Sequence, residues 1–118
     1  MRHHTDQLPE DRTERIRELN DLYRSTVPFS PDLVMTSSVR ESFGDFLPDL
    51  WRAVRDFNSF TESNDPWEEH DFGRLRVRDI EIFWKIDYYD LNLEYGSPDP
   101  SDKNVTRRVM TVYLPEEH

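Results

Sequence analysis

The sequence predicts one two-layer α+β domain: N-terminal helices packed on one face of a small antiparallel sheet, built from a C-terminal hairpin and a final strand. Three observations predict it. Apolar residues recur at helical spacing in the first half of the chain and with a period of two in the second. The strand-like segments alternate apolar and polar residues, which favours antiparallel strands with one covered face. Helices come first and strands last, the order of a segregated α+β fold. With 118 residues, the chain can bury one core. A single domain over residues 1–118 is therefore expected, with residues 1–8 as a flexible tail.

The elements follow in order. Pro9 to Val27 reads as a helix, with Ile16, Leu19, Leu22 and Tyr23 on one stripe and Thr5 or Asp6 as its cap. Pro28 ends it, because a residue before proline avoids the helical region. Asp32 to Thr36 is short and strand-like. Ser37 or Ser38 is expected to cap a short helix to about Phe46, with Glu41 completing a capping box. Pro48 suits the first turn of a third helix, whose broad apolar face carries Leu47, Leu50, Trp51, Val54, Phe57 and Phe60. Thr61 to Asp71 is a polar loop centred on Asn64-Asp65-Pro66. Leu75 and Val77 then alternate with Arg74, Arg76 and Arg78, and Asp79 marks a tight turn. Ile80, Ile82, Trp84, Ile86 and Tyr88 share one face of the returning strand, opposite Glu81, Phe83, Lys85, Asp87 and Tyr89. A two-proline loop over Gly96 to Asn104 leads to a last strand, Thr106 to Leu114.

Composition narrows the chemistry. Apolar residues make up only 35% of the chain while aromatics reach 13%, so Trp, Tyr and Phe must supply much of the core. The net charge is −10, which argues against direct binding to nucleic acid or an anionic membrane. Two windows hold carboxylates and no Lys or Arg: Glu62 to Asp71, and Asp87 to Asp102. The absence of cysteine rules out disulfides and thiolate chemistry. It fits a cytoplasmic protein, as does a start without the apolar segment of a signal peptide. There is no G-x-S-x-G, no phosphate-binding glycine loop and no dinucleotide pattern among three glycines.

Three stretches carry candidate chemistry. Asp65, Glu69, His70 and Asp71 fall within seven residues. Carboxylates with an imidazole suit a divalent metal, whereas a structured turn explains the same residues without one. Lys85, Asp87 and Tyr89 share a strand face and suit proton transfer if buried, or a surface ion pair if not. Ser97-Pro-Asp-Pro-Ser-Asp102 reads as a rigid polar connection whose Asp99 and Asp102 extend the acidic surface.

Several of these stretches also carry a resemblance. Leu19-Asn20-Asp21 with Arg24, Thr36, Val39, Asn64-Asp65-Pro66, Glu69-His70-Asp71-Phe72-Gly73, Trp84-Lys85-Ile86-Asp87-Tyr88-Tyr89-Asp90, Ser97 with Asp99-Pro100, and Thr106 with Arg108-Val109 resemble the pattern of the bacterial domain of unknown function 3768, over about residues 16–114. Trp67-Glu68 departs from the tyrosine and small residue expected there, and Pro28-Phe29-Ser30 from a glycine-containing turn. The resemblance implies no established catalytic role and no cofactor. It implies a proteobacterial source and an association with mobile elements, near antirestriction-type genes.

The leading expectation is a non-enzymatic acidic binding protein, an inhibitor of a host nucleic-acid-handling defence system by nucleic-acid mimicry. Its partner would be a protein with a basic surface, a nuclease or CRISPR-type complex. The expected binding surface comprises Glu62, Asp65, Glu68, Glu69, Asp71, Asp87, Asp90, Asp99 and Asp102, on a monomer or homodimer. The alternative is a small metal-assisted enzyme using Asp65, Glu69, His70, Asp71 and Asp87.

Overall fold

The structure, a computed structural model, describes residues 9–118. The expected tail, the caps at Thr5 or Asp6, and the side chains of Pro9 and Glu10 lie outside the described residues. The elements run α1 (Pro9–Arg24), β1 (Leu33–Met35), α2 (Ser37–Phe43), a 3-10 turn (Gly44–Phe46), α3 (Leu47–Asp56), β2 (Phe72–Val77), β3 (Ile80–Tyr89), β4 (Arg107–Tyr113) and a closing 3-10 turn (Pro115–Glu117). The α+β class is as the sequence predicts. The sheet, however, is mixed. Its order is β1-β4-β3-β2, and β1 pairs parallel with β4 while β4, β3 and β2 are antiparallel.

The alternation of β3 explains how the layers meet. Ile82, Trp84 and Ile86 are buried on the inner face, together with Met110 and Val112 of β4. Leu50, Trp51 and Val54 of α3, and Val39 and Phe43 of α2, pack into the same cluster. Phe57 and Phe60 follow the end of α3 and meet Trp84 edge-to-face at 5.7 and 6.2 Å. The outer face of the sheet carries a smaller aromatic group, Phe72, Phe83 and Tyr113, with His118 stacked on Tyr113.

Asp79 sits in the tight turn as expected, but other local details differ from the sequence expectation, among them that α3 ends at Asp56, short of Phe57 and Phe60. The first helix stops at Arg24, and the chain turns before a cis Val27–Pro28 peptide. The cap of α2 is Thr36, whose Oγ1 accepts the Val39 N–H at 3.3 Å from an extended backbone. Ser37 and Ser38 are already helical and no capping box with Glu41 forms. The β2–β3 turn is made by Arg78 and Asp79, both at positive φ (50° and 65°), the backbone of a two-residue hairpin turn. Arg78 is held there by Asp49 at 3.0 Å and by the Phe46 ring at 3.6 Å.

Candidate functional site

One continuous polar network joins α1 to the sheet and to the loop between α3 and β2. It begins on the inward stripe of α1, where Asn20 and Arg24 follow Ile16 and Leu19 at helical spacing and are as buried as they are. Asn20 is fully buried. Its Nδ2 donates to Tyr88 Oη (2.8 Å) and to the Glu69 carbonyl (2.9 Å), and its Oδ1 accepts from Arg108 Nε at 2.6 Å. Arg108 shares the inward face of β4 with Met110 and Val112, and its Nη2 donates to the Pro100 carbonyl. Tyr88 Oη donates to Glu69 Oε1 at 2.7 Å. Burial, and then this bond, push the Tyr88 hydroxyl well above its usual pKa.

Arg24 anchors the other end. Its Nη1 donates to the carbonyls of Val54, Arg55 and Phe57 at 2.8, 3.1 and 2.9 Å. These belong to the C-terminus of α3, where carbonyls lack helical partners and a cation is favoured. The guanidinium lies over Phe60 and Trp84, and Nη2 reaches Asp21 Oδ1 at 3.2 Å. The same Asp21 oxygen accepts from His70 Nδ1 at 2.9 Å. The His70 ring stacks on Phe60 with centroids 3.7 Å apart.

The network fixes the loop from Thr61 to Asp71. Asp65 is buried, and its Oδ1 accepts the N–H groups of both Glu69 and His70 at 3.1 Å. Asn64 ties Thr61 N–H to the Ser59 carbonyl. Arg17 of α1 donates to the Glu68 carbonyl at 2.9 Å. Glu68 and His70 adopt positive φ (58° and 56°), a conformation that persists where surrounding bonds hold it. At the tip, Trp67 is 76% exposed. It borders a groove of ≈ 460 Å³ lined by Asp11, Glu14, Arg17 and Glu68. An adjoining recess of ≈ 350 Å³ is lined by Arg17, Phe60, Glu62, Asp65, Glu68 and His70.

The expected acidic residues divide between outward and inward roles. Glu62 and Glu68 are exposed on this loop. Asp65 and Glu69 turn inward to the bonds above. Asp87 lies on the outer sheet face beside Lys85 at 3.3 Å, so the pair joins residues two apart on one strand. Asp90 caps its own turn through Asn92 and Glu94 N–H, and Asp102 does so through Asn104 N–H. Asp99 bonds Ser101 and pairs with Arg12 at 2.9 Å, and the Ser101 hydroxyl holds its carboxyl below the usual range. Among the described residues no group of three or more carboxylates and imidazoles is placed to hold a metal ion. Of the four candidate donors, Asp65 and Glu69 each have an oxygen committed to protein donors.

Among the carboxyls of the site, Asp71 is the one pushed upward. Burial, then the charge of Glu69, push its carboxyl up to about 6, with Asp65 and Asp87 adding to the effect. A carboxyl raised in the folded state holds its proton more tightly than in the unfolded chain. Its ionisation therefore removes stability as pH rises from about 4 to about 6. Asp71→Asn is expected to raise the unfolding free energy at pH 7 by about 1 kcal/mol, allowing for solvent screening of a partly exposed group. The gain should vanish near pH 4, which urea titrations at the two pH values will measure.

Sequence reasoning missed the pairing of Asn20 with Arg108. The signals were an asparagine between Leu19 and Tyr23 on an apolar stripe, and an arginine at the inward parity of β4. The family model described as "Protein of unknown function (DUF3768)" matches residues 35–117, from β1 to the closing turn, so α1 precedes the matched region. No curated protein and no solved structure matches the chain. By the extent of that match, the chain belongs to the DUF3768 family.

Proposed function

We propose that the protein is a non-enzymatic acidic binding protein that docks through the Thr61–Asp71 loop onto a basic protein surface. The observation that supports this most is Trp67. It stands in solvent on a loop whose backbone is held from beneath by Asp65, Asn64 and Arg17. An indole on a preorganised loop is the side chain most often found at the energetic centre of an interface. Its surroundings carry Glu62, Glu68, Asp11 and Glu14. With a net charge of −10, such a surface would be steered to a basic groove and would bind in a salt-sensitive way. The partner class that fits is a nucleic-acid-handling protein, such as a nuclease or a CRISPR-type complex, whose basic face the carboxylates would occupy in place of phosphates.

Affinity capture from the source host at increasing salt tests this. A nucleic-acid-handling partner should be retained at low salt and released as salt rises. Trp67→Ala should weaken the complex about 30-fold, the loss of a central tryptophan anchor, and Glu62→Lys with Glu68→Lys should weaken binding most at low salt and flatten its salt dependence. A partner indifferent to salt and to both variants would contradict the proposal.

A further inference from the structure

The free edge of the sheet offers a second surface, of opposite charge character to the loop. β2 is an edge strand with β3 as its one neighbour. Ile86 N–H donates to the Asp71 carbonyl at 2.8 Å, one step before the Phe72–Lys85 register pair. Backbone bonding alternates along an antiparallel ladder. Gly73, Leu75 and Val77 therefore turn their N–H and C=O groups to β3, and Phe72, Arg74 and Arg76 turn theirs outward. Among the described residues no hydrogen bond reaches those outward backbone groups.

The side chains on the same edge say what would fit. Arg74 and Arg76 are exposed, and among the described residues neither has a carboxylate within ion-pair distance. Arg74 lies 5.9 Å from the Phe83 ring. Arg76 donates to the Asp79 carbonyl at 3.1 Å, and Glu81 stands across the ladder from it without forming an ion pair. A second copy of β2 is a poor occupant. Every antiparallel register near the strand centre sets arginine opposite arginine, and directly opposed like charges destabilise a pair. The same arginines guard the edge against such self-pairing.

We infer that the β2 edge accepts an extended acidic segment of a partner as a fifth strand. Backbone bonds would form to Phe72, Arg74 and Arg76. Carboxylates on alternate residues would meet the two guanidinium groups on the outer face, and small apolar residues between them would lie beside Leu75 and Val77. This is strand addition with specificity set by every second side chain. It does not depend on the Trp67 loop, which takes a basic partner.

The test uses a synthetic peptide of alternating glutamate and valine added to the full chain, read by backbone amide exchange. Exchange of the Phe72, Arg74 and Arg76 amides is expected to slow at least about tenfold. The protection should fall with salt. It should be absent with a lysine–valine peptide, with a peptide N-methylated at each residue, and in the Arg74→Glu, Arg76→Glu chain. No slowing with the glutamate peptide, or equal slowing by the N-methylated or lysine peptide, would overturn the inference. So would protection that grows with protein concentration alone, which would mean that copies pair through this edge.

Discussion

Arg24→Ala is expected to lower the unfolding free energy by about 3–5 kcal/mol, the range for removing one member of a buried charged cluster. Arg24 is 6% exposed and satisfies three carbonyls at the end of α3. Alanine would leave the Phe57 carbonyl buried without a donor, a cost of about 1–3 kcal/mol, and the Val54 carbonyl with only the Phe57 N–H at 3.4 Å. It would also open the space against Phe60 and Trp84 and leave Asp21 with His70 alone. Arg24→Lys keeps the charge but not the planar fork that reaches several carbonyls at once, so about half the loss should remain. Urea denaturation with an unchanged m value measures both. A loss below about 1 kcal/mol for the alanine variant would show that water replaces the guanidinium at these carbonyls.

Gly73→Ala is expected to cost about 3 kcal/mol, the upper end of the over-packing range. A Cβ at this position would overlap the indole of Trp84. Trp84 has nowhere to move. It is fully buried, with Phe57 and Phe60 against its ring and Arg24 above it. Gly73 also bonds to β3 directly across from Trp84 in the ladder, so backbone retreat would break strand pairing. Combining Gly73→Ala with Trp84→Phe should recover part of the loss. A double-mutant cycle then yields a coupling of more than about 1 kcal/mol. Additive losses would place the strain elsewhere.

Much of this fold was legible because local pattern and tertiary role coincide. The 3.6-residue stripe of α3 and the alternation from Ile80 to Tyr88 name the two faces that meet in the core. The hairpin was readable from the change of period at Arg74, although Arg78 and Asp79 are not the usual turn pair. What was hidden depends on partners distant in sequence. The parallel pairing of β1 with β4 rests on three register pairs, Leu33 with Met110 through Met35 with Val112, and three residues carry too little pattern to show it. Arginine is read as a surface residue, so the inward parity of Arg108 and the place of Arg24 on the α1 stripe did not by themselves mark them as buried donors to carbonyls. The acidic window from Glu62 to Asp71 looked uniform. Its residues separate only once the loop closes, with Asp65 and Glu69 bonded within and Glu62 and Glu68 outside. The candidate site was thus legible as a segment, whereas the division of labour within it was not.

Whether the Thr61–Asp71 loop is a fixed platform for Trp67 is tested most directly by backbone 15N relaxation of Glu68, Glu69 and His70. With Asp65 accepting two N–H groups and Arg17 holding the Glu68 carbonyl, order parameters near about 0.85, equal to those of β3, are expected. Values below about 0.6 would mean that the loop moves freely around Asp65, and would contradict a preorganised anchor at Trp67.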